Sequence, residues 1–411
     1  MTETIIVRAA SLYNGHSSEL QEDVSVVLAD GLIQEIHDGG RMPSVEGRVI
    51  DSGGSMLIPG LIDAHVHIGA VETDFARQAS RHPSSLIGFK MAQRLLHLLD
   101  RGYTTVRDCG GADWGFKAAI EQGLIPGPRI VISNRMISQT GGHGDMRTRA
   151  QTGDHCDLHA PFGMVFSIAD GVTEVRRAVR EQVRMGADFI KVMASGGAAS
   201  PTDKLDRPQY SEEELRIIVE EAAMAGVYVA AHAIPAISIE RAVLAGVRTI
   251  EHGNFLDDAG ATLMVKHGTF LVPTIATYVM ASRHPERYDD PPEITAKVKS
   301  AAAASLHALE AAHRAGVVIG SGSDLLGEEI AWLNHEHELK AEVIGPQAAL
   351  HAATGANAEV LGRDDIGVLE PGRRADLVAV AGNPLRDIAV LGHKAGIRLV
   401  VKDGEIHRND L

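Results

Sequence analysis

Both ends of the chain alternate apolar and polar residues over short runs, which is the period of a half-buried β-strand. Near the N-terminus this pattern predicts a strand over Thr4–Leu12 and an Asp-Gly hairpin over residues 24–36. A similar pattern returns near the C-terminus, with a predicted strand over Ala375–Val380 and a second Asp-Gly hairpin after it. We therefore expect residues 1–57 and 361–411 to fold together as one small β-sandwich domain.

Residues 58–360 instead alternate short apolar runs with longer stretches of helical periodicity. Helices are predicted over Val172–Met185, Ser211–Ala225 and Ile294–Ala315, and Ser211 begins a capping box that Glu214 completes. The apolar runs predict eight strands: Leu61–His67, Thr104–Cys109, Arg129–Ser133, Phe189–Ala194, Tyr228–His232, Thr249–His252, Phe270–Pro273 and Val317–Gly322.

Eight strands that each precede a crossover helix predict an α/β fold, a (β/α)8 TIM barrel, for residues 58–360. An open doubly wound sheet is the alternative. That fold predicts a Gly-rich phosphate loop after the first strand, whereas the first strand here ends in His65-Val66-His67.

Composition narrows the classes of function. The 411 residues are 45% hydrophobic and 23% charged, which suits a large globular core. Acidic residues outnumber basic ones by 54 to 39, a balance that argues against nucleic acid or an anionic membrane as a partner. Two cysteines, Cys109 and Cys156, do not form a CxxC pair, so a thiolate zinc site is excluded. With neither a signal peptide nor a membrane-spanning run in the sequence, we expect a cytoplasmic protein.

The most informative polar residues lie at the ends of the predicted strands. His65 and His67 point to the same face of one strand, because side chains alternate, and two imidazoles on one face are able to hold a divalent metal ion. Further candidate ligands each occupy a strand of their own or the residues just after it: Lys191, His232, His252 and Asp324.

Each of these residues alone also has a structural interpretation. A buried histidine is more often a hydrogen-bonded core residue, Lys191 would suit a strand edge, and Asp324 would suit a helix N-cap. The carboxyl ends of barrel strands, however, meet at one rim, where the active sites of such barrels lie. Candidates at five strand ends together therefore favour a metal site.

The segments PGLIDAHVH, IKVMASGG, AAHA, IEHGN and GSD resemble the amidohydrolase superfamily, in that family's order and over almost the whole chain. The resemblance implies two divalent ions, with zinc as the expected metal. His65 and His67 would hold the more buried ion, Asp324 would contact it, and His232 and His252 would hold the second. Lys191 would bridge both ions as a carbamate. An ammonium group repels a cation, whereas burial favours the neutral amine that carbon dioxide converts to an anionic carbamate.

More closely, the chain is similar to bacterial prolidase-like and Xaa-Arg carboxypeptidase amidohydrolases. The segments TTVRDCGG, SQTGGHGD, ADGVTEVRRAVREQVRMGADFIKVMASGGAASPTD and YSEEEL carry this narrower resemblance. It also implies a homo-oligomer. The departure is Thr152–Pro161, where relatives have a Cys-rich stretch and this chain has only Cys156. Substrate preference therefore stays open.

The implied reaction is hydrolysis of an amide. A metal pair lowers the pKa of a shared water and polarises the substrate carbonyl. Asp324 would act as general base and then general acid. His143, in the loop TGGHGD, would stabilise the tetrahedral oxyanion. Without the resemblance, that glycine-rich segment would be interpreted as a flexible turn.

A carboxypeptidase must also bind the carboxylate of its substrate. Tyr228 lies on the same strand face as His232 by alternation, and the resemblance suggests it as a carboxylate contact; it would equally well fill a layer of the barrel. Arg147 and Arg149 follow His143 closely and are further candidates, although solvated loop arginines are more common.

The leading hypothesis is thus a metal-dependent hydrolase of dipeptides or N-acyl amino acids, including amide-linked xenobiotics such as a phenylalanine-bearing mycotoxin. The alternative is a cyclic-amide hydrolase or deaminase of the imidazolonepropionase kind, which uses one metal and lacks the bridging lysine, so Lys191 argues against it. A non-catalytic scaffold would have lost ligands, whereas all six positions are filled here.

Overall fold

The computed structural model describes residues 3–16, 19–151, 162–288 and 291–411. The departure predicted at Thr152–Pro161, with Cys156, lies outside the described residues. Across the described ranges, no helix combines the length and apolar character that crossing a bilayer requires.

The elements alternate strands and helices through the middle of the chain. The strands are β1 (Ile5–Leu12), β2 (Gln21–Ala29), β3 (Leu32–His37), β4 (Arg48–Asp51), β5 (Met56–Pro59), β6 (Leu61–Val66), β7 (Tyr103–Asp108), β8 (Arg129–Ile132), β9 (Met136–Ser138), β10 (Phe166–Ile168), β11 (Phe189–Met193), β12 (Tyr228–Ala233), β13 (Thr249–His252), β14 (Phe270–Val272), β15 (Leu377–Val380), β16 (Ile397–Lys402) and β17 (Glu405–Asn409). The α-helices are α1 (Phe75–Arg81), α2 (Ser84–Asp100), α3 (Trp114–Glu121), α4 (Gly171–Arg184), α5 (Glu212–Met224), α6 (Ala236–Ala245), α7 (Asp258–His267), α8 (Ile275–Arg283), α9 (Pro292–Ala315), α10 (His335–Ile344), α11 (Pro346–Ala352) and α12 (Gly355–Leu361).

The two ends of the chain form one sheet of eight strands, in the order β17-β16-β15-β5-β1-β2-β3, with β4 beside β1. Strand β5 joins the two ends, because it pairs in parallel with β1 and antiparallel with β15, where Leu57 lies opposite Ala379. The predicted β-sandwich is therefore built from one continuous hydrogen-bonded sheet.

This terminal sheet separates two hydrophobic cores. One face, which includes Val7, Val26 and Leu377, contributes to a hydrophobic core that is separate from the core of the barrel. Alternate residues of the same strands, such as Ile58 and Val378, face the opposite way and belong to the main core of the barrel. The alternation that predicted these strands thus also gives the sheet a second apolar face, and this face packs against the barrel.

The barrel strands pair in parallel, from β6 to β8 and from β9 through β11 to β14. The third predicted strand, Arg129–Ser133, corresponds to β8; the chain then turns at Asn134, whose φ is 59°, and continues as β9, so this barrel position consists of two pieces. Both pieces still contact the next strand: Asp188 N donates to Ile132 O at 2.8 Å, and Val192 lies opposite Ile137. The chain therefore bends within one barrel position.

The eighth predicted strand, Val317–Gly322, is not a regular strand, and this part of the prediction is wrong. It makes a single bridge, Leu271 to Ile319. Its backbone nevertheless bonds to both neighbours: Gly320 N donates to Leu271 O, and Ala64 N donates to Ser321 O, each at 2.8 Å. Glycine has low strand propensity, and a Cβ at Gly322 would lie 2.4 Å from the Cβ of His65, so only glycine permits this close approach.

The predicted helices are confirmed as α4, α5 and α9. The capping box is also confirmed: Ser211 Oγ accepts from Glu214 N at 3.2 Å, and Glu214 Oε2 accepts from Ser211 N at 2.7 Å.

Charged side chains connect the amino end of β8 to the terminal sheet, and we call them the basal ion cluster: Arg129, Asp365, Arg374, Asp376 and Asp403. Arg129 Nη1 lies 2.8 Å from Asp376 Oδ2, and Arg374 Nη1 lies 2.7 Å from Asp403 Oδ1.

The predicted domain boundary between residues 57 and 58 falls inside β5. The division of the chain into domains after residues 57 and 360 stays a prediction.

Candidate metal centre

The six predicted ligands meet at the carboxyl ends of the barrel strands. They come from β6 and the residue after it, from β11, β12 and β13, and from the loop after residue 322: His65, His67, Lys191, His232, His252 and Asp324. Donor atoms of His65, His67 and Asp324 all lie within 4.8 Å of one another. The barrel thus brings together residues that are up to 259 positions apart in the sequence.

Asp324 lies at the centre of this cluster. Its Oδ1 is 3.7 Å from His65 Nε2 and 3.4 Å from His67 Nε2, and its Oδ2 is 3.7 Å from His252 Nδ1. Lys191 Nζ is 3.3 Å from His65 Nε2. His232 joins through its ring, whose centroid is 4.5 Å from that of His252.

Two of the ligands have left-handed backbone conformations, with φ of 71° at His252 and 50° at Asp324. In a regular strand Glu251 and His252 would face opposite sides. Glu251 contacts His65 inside the barrel, and the left-handed backbone lets His252 approach the same centre. Such conformations are uncommon for residues other than glycine and cluster at functional sites.

Hydrogen bonds place the imidazole protons away from the centre. His67 Nδ1 donates to Gly110 O at 2.8 Å, and His232 Nε2 donates to Gly196 O at 3.2 Å, because a carbonyl oxygen only accepts. The lone pairs of His67 Nε2 and His232 Nδ1 are therefore left for other ligands, as in protein metal sites where the second ring nitrogen is held by an acceptor.

A fully buried chain of charged groups holds His65. Its Nδ1 lies 2.6 Å from Glu251 Oε2, and Arg107 Nη2 lies 2.6 and 2.8 Å from the two oxygens of Glu251. Arg107 Nη1 also donates to Thr249 Oγ1 at 3.2 Å. The side chains of His65, Glu251 and Arg107 are all 0% exposed. This arrangement directs His65 Nε2 towards Asp324.

The electrostatics suit a cation. Burial, with a contribution from nearby Lys191, lowers the pKa of His67 to about 3, and burial also lowers the pKa of His65, His232 and His252 well below the usual range. Neutral imidazoles are metal ligands. Burial raises the pKa of Asp324 to about 8, because its negatively charged form has lost contact with water. A cation beside the carboxylate would stabilise that charged form.

The spacing suits a cation as well. Ligands that bind one zinc ion tetrahedrally at about 2 Å lie about 3.3 Å from each other. The separation between His67 and Asp324, 3.4 Å, is close to this value. The residues present therefore fit a divalent metal ion.

His143 lies beside the centre, on the loop after β9. Its ring stacks on that of His232, with centroids 4.3 Å apart and planes inclined by 25°. Its Nδ1 contacts Ser200 Oγ at 2.9 Å. The structure thus brings His143 next to the predicted ligands.

The arginines that follow His143 are arranged differently. Arg147 pairs with Asp145 through two contacts, Nε to Oδ1 at 2.9 Å and Nη2 to Oδ2 at 2.8 Å. Arg149 is exposed. Any role of Arg147 with a substrate carboxylate would have to compete with Asp145.

Tyr228 does not reach the cluster, so its predicted contact with the substrate is not supported by its position. It begins β12, four residues before His232, which corresponds to about 13 Å along a strand. Its ring stacks on Phe189 at 5.4 Å, and the guanidinium of Arg248 lies 5.4 Å above the ring. Alternation correctly placed Tyr228 inside the barrel, but at the opposite end. It fills a layer there.

Sequence reasoning missed Glu251 and Arg107. Both had a signal of the kind that identified Lys191, namely a charged residue within a short apolar strand pattern. Neither pattern indicated that the two residues would pair with each other and with His65, because the pairing spans three strands.

Comparison with known proteins decides the family. A sequence profile described as the amidohydrolase family matches residues 56–407. This chain belongs to the amidohydrolase family. The amidohydrolase described here is a hydrolase that acts on amide bonds.

Three relatives cover nearly all of this amidohydrolase. It is 33% identical over 424 residues to an ochratoxinase from Aspergillus niger, and the alignment covers 98% of this chain and 86% of that protein. The crystal structure of a prolidase complexed with N-methylphosphonate-L-proline is 42% identical and has a TM-score of 0.95, covering 99% of this chain and 100% of that one. A Xaa-Pro dipeptidase with bound methionine is 29% identical, with a TM-score of 0.87 and the same coverage. The expected TIM barrel with a small sheet domain is confirmed.

Proposed function

We propose that this amidohydrolase cleaves the amide bond of dipeptides or N-acyl amino acids at a centre of two divalent metal ions. The observation that carries the proposal is the convergence of three histidines on Asp324, with Lys191 beside His65 and the ring of His232 against that of His252. The prolidase and ochratoxinase relatives support substrates of this class.

The ligand assignment follows the hydrogen bonds. His65 and His67 would hold one ion through Nε2, since Glu251 and Gly110 O occupy their Nδ1 atoms. His232 and His252 would hold the second, and Lys191, as a carbamate, would bridge the two. We propose zinc as the metal, in keeping with imidazole-rich ligation.

When bound, the metal pair would supply Lewis acidity to a water and to the substrate carbonyl. Asp324 then accepts the proton of the attacking water and delivers it to the leaving nitrogen. Its two oxygens face different histidines, which positions the carboxylate between the two halves of the site. His143, stacked on His232, is the candidate contact for the substrate carbonyl oxygen.

The alternative, an imidazolonepropionase-like enzyme with one metal, predicts a site without a bridging lysine. The position of Lys191, buried and 3.3 Å from His65, argues for the two-metal form. Metal stoichiometry separates the two hypotheses.

The test begins with protein stripped by a chelator and reloaded with zinc, with and without bicarbonate. We expect two ions per chain, restored hydrolysis of a panel of N-acyl amino acids and dipeptides, and dependence on bicarbonate through Lys191. One ion per chain without a bicarbonate effect would favour the alternative. No hydrolysis across the panel by fully loaded protein would reject the proposed substrate class.

Three further expectations stay predictions: the cytoplasmic location, the homo-oligomer, and the absence of nucleic acid and membrane partners. The substrate is a small molecule in every form of the proposal.

A further inference from the structure

The ring of His143 is held by a chain of two polar side chains. Its Nδ1 lies 2.9 Å from Ser200 Oγ, and Ser200 Oγ in turn bonds to Asp203 Oδ1. Asp203 Oδ2 is itself 3.8 Å from His143 Nδ1. Ser200 is fully buried and the side chain of Asp203 is 4% exposed, so water competes little for these bonds.

The direction of the bonds follows from the partners of Asp203. Gly197 N and Gln209 Nε2 donate to its Oδ2 at 3.0 and 3.2 Å, and Lys297 Nζ lies 3.5 Å from its Oδ1. Both carboxylate oxygens of Asp203 therefore act as acceptors. Ser200 gives its single proton to this carboxylate, so its oxygen accepts from His143, and the proton of His143 lies on Nδ1.

Packing fixes the ring as well. Gly197 lies against it so closely that a Cβ there would be 2.2 Å from His143 Cε1. The opposite ring is that of His232, 4.3 Å away, and Gln209 Oε1 accepts from the backbone N of His143 at 3.0 Å. Within the described ranges His143 Nε2 has no hydrogen-bond partner, which leaves that atom for a substrate.

We propose that Ser200 and Asp203 are positioning residues that act through His143: they keep its proton on Nδ1 and present Nε2 to the substrate. The inference rests on the proposed function, because it assigns the support of one of its groups. An acid that orients a histidine through the remote ring nitrogen is also the logic of the serine-protease triad, here with a hydroxyl between the two.

The first test is a double-mutant cycle. Ser200→Ala is expected to lower kcat about tenfold, the effect of one well-placed hydrogen bond, with metal content unchanged. Ser200→Thr, which retains the hydroxyl, restores kcat. In a His143→Asn background, Ser200→Ala causes no further loss. Ser238→Ala, which alters a buried serine whose hydroxyl has no hydrogen-bond partner among the described residues, is the control without effect.

A loss from Ser200→Ala that persists in full in the His143→Asn background, or that threonine does not restore, would overturn the proposal. Since Ser200→Ala removes one oxygen atom only, the test does not depend on whether variants of Asp203 fold.

A second measurement is independent of catalysis. Solid-state NMR of protein labelled with 15N-histidine reports which ring nitrogen is protonated, and His143→Asn assigns the signal. The expected spectrum has a protonated Nδ1 and an unprotonated Nε2, with a redistribution between the two in Ser200→Ala. A proton on Nε2 in the unaltered protein would refute the inference even if the proposed substrates are hydrolysed. The expected spectrum without amide hydrolysis would refute the proposed function alone.

Discussion

Two groups of charged and polar side chains lie at opposite ends of the same barrel, and they are built on different terms. In the basal ion cluster each arginine meets carboxylates directly, as in the 2.7 Å contact between Arg374 and Asp365. At the metal centre Asp324 faces imidazoles across 3.4 to 3.7 Å, and neutral nitrogens outnumber protonated donors. Paired opposite charges need no further partner, whereas converging lone pairs do. The first cluster is structural, and the second is suited to a cation.

The same strands contribute to both ends of the barrel interior. Strand β11 carries Phe189 in the lower layer and Lys191 above it, and β12 carries Tyr228 and then His232. Alternation directs all four side chains inward. The position of each side chain along its strand determines whether it packs in the barrel interior or lies at the metal centre.

The largest expected effect at the upper end comes from Asp324→Asn. Loss of the general base and acid should reduce kcat by about a hundred- to ten-thousand-fold, while the histidines still hold metal. The measurement is kcat with metal content on the same sample. Glu328→Gln, four residues further along the chain and with a side chain 90% exposed, is the matched control. Near-normal turnover in Asp324→Asn would refute its role in proton transfer.

The next effect separates support of the metal centre from general stability. Glu251→Gln weakens the bond that orients His65, so we expect metal affinity to fall about ten- to hundredfold in chelator competition. Glu221→Gln also removes a buried carboxylate paired with arginine, Arg180 Nε at 2.7 Å, but on α5. It should change thermal stability without changing metal affinity. Equal metal affinities in the two variants would mean that Glu251 does not support the centre.

At the end of the barrel that carries the basal ion cluster, we expect a mutation to change stability and to leave metal binding unchanged. Arg129→Met leaves Asp376 without its closest cation and should lower the free energy of unfolding by about 3 kcal/mol, since one partner of a largely buried ion pair is lost. The distance from the rim predicts unchanged metal content and a kcat within about twofold. Denaturant unfolding and metal analysis together test this. Loss of metal from Arg129→Met would show that the two ends are coupled.

The smallest expected effect comes from Tyr228→Phe. Because Tyr228 lies about 13 Å along the strand from His232, kcat/KM should stay within about twofold for an N-acyl amino acid and for its methyl ester. A selective loss on the free acid would instead restore the carboxylate role that its position does not support.

Much of the fold was accessible from local patterns. The capping box at Ser211 fixed the start of α5, alternation predicted β1 and β2, and an apolar run predicted β12, because these signals need only neighbours in sequence. The prediction of a strand over Val317–Gly322 was wrong for the opposite reason. The backbone of this segment bonds to two strands far apart in the chain, and its glycines allow those bonds without a regular ladder.

The candidate site divides in the same way. The types and order of the predicted ligands were legible in the sequence, since a charged or imidazole side chain inside an apolar strand is conspicuous. The height of Tyr228, the inward turn of His252 and the contacts of Glu251 with His65 and Arg107 were not. Period-two alternation gives direction but not depth, and partners from different strands meet only when the barrel forms. The sequence by itself therefore determined which chemistry this protein carries, and the tertiary structure decided which of those groups face one another, because that depends on distances between strands that no local pattern encodes.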